Sequence, residues 1–304
     1  MDTHVDRERG RLNAIQHMML QWSQTHPYNA CHLYKLAGRA DAERLQVAVQ
    51  DAFAFNRLGA VELAEDGRHY TIATGSAPDI EAPEGTGDSD DDVRRHVARA
   101  LNRPFPRPRC HPLRFALIPY DANSHWLAAT YDHWTADSVA SRLVLRHVLG
   151  RYLGLEIPAS SQPLTSYTGT YRDAFKGELG WNRVIPSVLN TVRRSVFQSP
   201  TAHPACFSMS DMTVDYRLCS TAPGTVARLR KYARSLDATV HDVMLAALAR
   251  ALARHLPRRL WRGRPRDVAL GTIVNTRPDA SADVNEMLGA FLAYHVVRSS
   301  PDTA

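Results

Sequence analysis

A chain of 304 residues with 44% hydrophobic and 22% charged residues has ordinary globular composition, enough for one large or two medium domains, of which two is the expectation. No apolar run approaches the roughly 20 residues that span a bilayer, and the opening MDTHVDRERGRLN has no apolar signal core, so a soluble, cytoplasmic chain without a membrane span is expected. The formal charge of +6 leaves nucleic acid binding resting on basicity alone, because no basic strand interleaved with aromatics and no nucleic-acid motif occurs.

In chain order, GRLNAIQHMMLQWSQ (residues 10–24) sets Leu12, Ile15, Met18, Met19 and Trp22 at helical spacing, which predicts a helix ahead of the first strand. YNACHLYKLA (28–37) reads as a strand, and the run after Asp41 reads as a helix with Asp41 as its N-cap. Short strands are predicted at 59–64 and 68–73. Residues 75–92, rich in Gly, Pro, Ser and acids, have little to bury and read as a surface loop, with helix resuming near Val93. After the turn-rich NRPFPRPR, apolar runs at 113–119 and 125–131 flank the turn residues Asp121, Asn123 and Ser124, a hairpin signal. A helix follows from Val139.

PASSQPLTS (Pro158 to Ser166) marks the linker, dividing the chain into lobes at 1–157 and 158–304. Beyond it come a helical region to about Phe197, a strand at 212–219, helices from Pro223 and from Thr239 through Leu256, and strands at 267–275 and 289–298. Strands and helices alternate in both halves, which predicts an α/β class with two sheet-containing lobes. The arginine cluster from Arg254 to Arg266 could meet phosphate, but a solvated helix end and loop is the preferred reading, because arginines at a helix C-terminus also satisfy its dipole. Cys31, Cys110, Cys206 and Cys219 are widely separated and form no C-x-x-C pair, so neither a zinc site nor a disulfide framework is indicated.

The segment with most chemistry is DHWTAD, Asp132 to Asp137, where an apolar strand runs into a histidine and an apolar helix leads out. A histidine at a strand end can present imidazole to a cleft, and its near-neutral pKa suits general-base work. Asp137, at the predicted helix start, can cap amides or bind an arginine that pins the turn. Tyr131 and Trp134 flank the histidine and fit either a tunnel wall or the core.

HWLAATYDHWTADSVASRLVLRHVLGRYLG resembles the central segment of the condensation-domain superfamily, the acyltransferases related to nonribosomal peptide condensation domains, wax ester synthases and chloramphenicol acetyltransferase, whose motif is H-H-x-x-x-D-G. The likeness extends to the opening helix with Gln16 and Trp22, the Pro27-Tyr-Asn strand, Pro112-Leu-Arg before a strand, and GTIVNTRPD followed by MLGAFLAYHVV. It implies two chloramphenicol-acetyltransferase-like lobes with a tunnel between them. An acyl or peptidyl thioester, on the phosphopantetheine of a carrier protein or coenzyme A, would enter from one face and a small-molecule nucleophile from the other. No permanently bound cofactor and no metal are implied. His133 would contact the acceptor amine or hydroxyl as the catalytic group. Asp137 would be structural and pair with Arg277 of VNTRPD in the second lobe, tying the lobes together, and Asn275 could orient that arginine.

Asp132 and Ser138 replace the motif's first histidine and its glycine, and Asp132, Trp134 and Ser138 are candidate supports of the motif or tunnel. Residues 132 and 133 should face opposite ways, as neighbours in a strand do. Heterocyclisation relatives carry D-x-x-x-x-D-x-x-S; Asp132 and Asp137 match its aspartates, while Ala140 stands at the serine. The superfamily pattern usually continues past the MLGAFLAY strand, so the second lobe is expected to be incomplete, which leaves three readings: a partner chain that completes it, a natural remnant, or a chain inactive alone. Two functional readings follow: a condensation-type acyltransferase, or a non-catalytic condensation-like module that binds a carrier protein or small molecule.

Overall fold

The computed structural model describes residues 7–81, 89–155, 163–166, 169, 171–175, 212–256, 260–261, 264–265, 267–280 and 283–299. They fall into two compact units. The first comprises Met1–Lys176, Ser208–Arg217 and Thr276–Leu292, and the second Gly177–Phe207, Leu218–Asn275 and Ala293–Ala304.

The first unit opens on strand β1 (Arg7–Arg11), where a helix was expected from Gly10; α1 is confined to Ala14–Trp22. Asn13 stops the helix from extending backwards, because it closes a capping box with Gln16. Strand β2 (Asn29–Ala37) and helix α2 (Ala42–Phe55), capped by Asp41, follow as the spacing predicts. Strands β3 (Gly59–Leu63) and β4 (His69–Thr74) pair antiparallel. A Cβ on Gly59 would lie 1.8 Å from the Ala73 carbonyl oxygen, so this close pairing requires glycine.

The acidic segment expected to be loop contains a short strand, β5 (Ile80–Glu81), and the next helix, α3 (Asp90–Asn102), starts three residues early on the Ser89 cap. Residues 82–88 lie outside the described residues. After β6 (Arg109–Cys110), the hairpin forms as β7 (Leu113–Asp121) and β8 (Ser124–Asp132), and α4 (Ser138–Leu153) follows. The remaining pieces of this unit are β9 (Thr165–Ser166) and one turn of helix, α5 (Tyr171–Ala174). The helical region expected up to Phe197 otherwise lies outside the described residues.

Two four-stranded sheets result, in the orders β1-β4-β3-β6 and β2-β8-β7-β5. The second is buried on both faces. Leu127, Ala129 and Tyr131 of β8 pack toward α2 and α4 with Leu45, Val49, Val144 and Val148, whereas Ala128 packs toward α3 with Val93 and Val97. This explains why the hairpin reads as apolar runs instead of an alternating pattern.

Residues 212–219, expected as a strand, join no sheet. The Asn102 side chain takes the place of a neighbouring strand there, accepting from Val214 N at 2.8 Å and donating to Val214 O at 2.7 Å. In the second unit, α6 (Thr225–Ser235) and α7 (Val240–His255) form where expected, the latter on a Thr239–Asp242 capping box. The arginine cluster includes a short β10 (Leu260–Trp261) and β11 (Arg264–Pro265) hairpin where a helix end and loop were expected. β12 (Val268–Asn275) leads to a 3-10 turn at Arg277–Asp279 in the first unit. β13 (Met287–Leu288) pairs parallel with β9, and β14 (Leu292–Ser299), the strand expected at 289–298, starts three residues later than expected and pairs with β12. No helix among the described residues is long and apolar enough to cross a membrane.

Candidate active site

β8 ends at Asp132, and the chain turns through residues 133–135 before α4. The turn is closed locally, with Thr135 donating to the Asp132 carbonyl from its backbone at 2.9 Å and from its hydroxyl at 2.7 Å. It is held from outside by Gln16, whose side-chain amide donates to Trp134 O at 3.1 Å. Asp137 then caps α4, its Oδ1 accepting from Ala140 N at 2.7 Å. The carboxylate thus ends the turn and starts the helix.

Asp137 and Arg277, 140 residues apart, meet as expected. Arg277 Nη2 donates to Oδ1 at 3.1 Å and Oδ2 at 3.0 Å, and both side chains are buried. The carboxylate also accepts from Phe291 N at 2.9 Å. Arg277 in turn donates to Met287 O at 3.0 Å and to Val284 O, with its guanidinium 4.6 Å from the Phe291 ring centroid. Both charges are thus matched by hydrogen bonds, the condition under which a buried pair is tolerated. The pair does not join two lobes as the resemblance implies: it lies within the first unit, since Thr276–Leu292 belongs to it. Asn275 ends β12 on the exposed side and belongs to the second unit.

Asp132 and His133 do face opposite ways. Asp132, only 2% exposed in its side chain, pairs with Arg107 Nη2 at 2.7 Å and accepts from the Trp134 indole nitrogen at 2.8 Å, both on Oδ2. Burial pushes its carboxyl above the ordinary range, and the Arg107 guanidinium opposes that rise. Trp134 is buried and packs edge-on to Tyr70, so of its two expected roles it takes the core and supports Asp132. Ser138 is exposed at the first turn of α4 and its carbonyl accepts from Arg142 Nε at 3.0 Å. Asp132 and Asp137 each have their own arginine, so the two carboxylates shared with the heterocyclisation pattern do not converge on one point.

His133 is half-buried and lies in a row of rings. It stacks on Tyr28 with centroids 5.4 Å apart and lies 5.4 Å from the Tyr131 ring, and its backbone nitrogen donates to Tyr28 O at 3.2 Å. Its Nδ1 is enclosed without a hydrogen-bond partner among the described residues. Beyond Tyr131 the row continues to His32, 5.6 Å away and stacked, whose Nε2 lies 3.0 Å from Ser141 Oγ. Ser141 Oγ donates to the Asp137 carbonyl at 2.9 Å, so His32 is tied to the same helix start that Asp137 caps. Burial, then Arg142 and His133, hold the His32 imidazole below its ordinary pKa.

Sequence reasoning missed His32, Tyr28, Ser141 and Arg107. For His32 and Tyr28 the signal was the position of β2 beside β8, which places Ala30 opposite Tyr131 and His32 opposite Ala129, while Ser141 lies one turn into α4. Arg107 was hidden in NRPFPRPR, read only as turns. That loop is itself held by Arg114, which donates to Arg103 O at 3.0 Å and Pro104 O at 2.5 Å and stacks 3.7 Å from the Phe105 centroid. Among the described residues no group of three or more His, Cys, Asp or Glu side chains could hold a metal.

Solved structures share this fold. The first condensation domain of the CDA synthetase superposes with a TM-score of 0.70 at 17% identity, over 96% of this chain and 69% of that one. The EpoB cyclization-docking bidomain from Sorangium cellulosum gives 0.67 at 18%, over 96% and 60%. The X-domain in complex with OxyB from teicoplanin biosynthesis gives 0.59 at 20%, over 96% and 65%. The chain therefore spans about two thirds of the length of these structures. No curated protein sequence matches it significantly. At these identities the structures speak to fold alone, but the sequence profile of the Condensation domain aligns with residues 8–304 and so includes the turn, its histidine and the buried aspartate–arginine pair; the chain belongs to the condensation domain family.

Proposed function

We propose that the chain is a condensation-type acyltransferase that joins an acyl thioester, carried on the phosphopantetheine of a carrier protein or on coenzyme A, to an amine or alcohol. The observation that carries this reading is His133: a half-buried imidazole gripped between two tyrosine rings, on a turn whose far end is fixed by a buried ion pair. A thioester is already activated, so the protein's work is to align the nucleophile and take its proton. The acceptor nitrogen or oxygen attacks the thioester carbonyl and the His133 imidazole receives the acceptor's proton. As the carbon–sulfur bond breaks, the departing thiolate takes that proton back from His133, leaving free thiol and amide or ester and restoring the imidazole. Asp137 and Arg277 touch no reacting atom in this scheme; they hold the turn.

The experiment is intact-mass spectrometry of a panel of acylated carrier proteins and acyl-CoAs, mixed with the chain and with candidate amines and alcohols. The reading expects a donor that loses its acyl mass only when both chain and acceptor are present, with that mass gained by the acceptor. Acyl loss that does not depend on the chain, across the panel, would contradict it and leave the module as a binder of carrier protein.

A further inference from the structure

The face of β8 opposite His133 carries a cleft of about 600 Å³ formed entirely within the first unit. Its walls come from the end of α1, the β3–β4 turn and the loop ahead of β6, and Asp132 lies in its lining. That volume is in the range of small-ligand sites, about 300–1,000 Å³. Asp132, the last residue of β8, lines this cleft, whereas neither His133 in the turn nor its stacking partners Tyr28 and Tyr131 line it.

We propose that this cleft binds a small organic amine with an aromatic or branched apolar body, its ammonium donating to Asp132 and its body lying against Leu20, Leu63 and Phe105. The charge balance favours a cation: Glu62, Glu65 and Asp132 line the cleft against a single guanidinium, Arg107. Arg107 is already given to Asp132, and that bond and the Trp134 indole both reach Oδ2, which leaves the Oδ1 lone pairs for a third donor. The apolar lining supplies the desolvated surround in which such a charge-assisted bond is strong. Burial has also raised the Asp132 carboxyl above its ordinary range, so an ammonium beside it relieves a cost the fold already carries. This site does not depend on acyl transfer at His133.

The probe is 2-phenylethylamine, followed through the Trp134 indole N–H resonance, which reports on Asp132 directly and is assigned with Trp134→Phe. We expect a saturable shift, no matching shift with 3-phenylpropionate, and undiminished binding in His133→Ala. Asp132→Asn should weaken binding at least tenfold. Ala64→Trp, at an exposed position that lines the cleft, should do the same by filling it, and it remains informative if Asp132→Asn does not fold. A wild-type chain that gives no saturable shift, tighter binding of the carboxylate, binding unaffected by Ala64→Trp, or binding lost in His133→Ala would each overturn the proposal.

Discussion

Asp137 accepts hydrogen bonds from the Ala140 and Phe291 amides and from Arg277, so one carboxylate starts a helix, fixes a distant segment and neutralises a buried cation. Arg277→Met leaves that carboxylate buried with its counter-charge gone. It should cost about 3–5 kcal/mol, read from urea unfolding, whereas a loss below about 1 kcal/mol would show that the pair is decorative. Asp132 is the second such residue. A histidine there would match the family motif, but in this chain Arg107 and Trp134 both donate to the carboxylate. Asp132→Leu should therefore cost about 1–3 kcal/mol, and wild-type stability in that variant would argue against the Arg107 pair. The Asp137–Arg277 contact was legible through the family resemblance. The Asp132–Arg107 contact was not, because nothing in a proline-rich turn sequence tells which arginine will meet a buried acid.

At the scale of elements, α4 carries a titration into the core. His147 is buried beside Asn56, its Nδ1 2.8 Å from the Asn56 amide nitrogen, while Nε2 has no partner among the described residues. Burial first, then Arg146, hold its pKa below the ordinary 6.5, and His32 on β2 is lowered by burial too. Their stabilising contribution is therefore complete above about pH 6.5, where the unfolded chain is also neutral. It is lost progressively as pH falls below that value toward the lower folded ones, because the unfolded chain then binds more protons. Urea midpoints should fall between pH 7.5 and 5.5, and fall less in His147→Gln. Using the difference between variant and wild type removes the opposing contribution of Asp132; identical pH dependence in the two would contradict the assignment. Element identity was readable wherever an apolar period was long, as in the hairpin and in α2, α4 and α7. It failed at β1, where RERGR offers no apolar period, and at 212–219, where a side-chain amide substitutes for a neighbouring strand.

For the whole molecule, the sequence suggested a simple cut near residue 158, while the chain returns to the first unit at Ser208–Arg217 and Thr276–Leu292. Such returns leave no compositional mark. In the second unit, β12 and β14 expose Ile273, Val274, Tyr294 and Val296, and Gly271 allows the Tyr294 ring to lie close to the backbone of β12. A two-stranded ribbon with exposed apolar residues is prone to associate. Sedimentation velocity should show concentration-dependent self-association that Ile273→Lys with Val296→Lys reduces; a monomer at every concentration would contradict this.

The proposed function divides the labour within DHWTAD, with chemistry at His133 and architecture at Asp137. Acyl-transfer rate and thermal midpoint measured together on His133→Ala and Asp137→Asn test it most directly. The account predicts that His133→Ala loses about a hundred to ten thousand-fold in rate at an unchanged midpoint, and that Asp137→Asn lowers the midpoint and the rate together. Equal turnover by wild type and His133→Ala would contradict it.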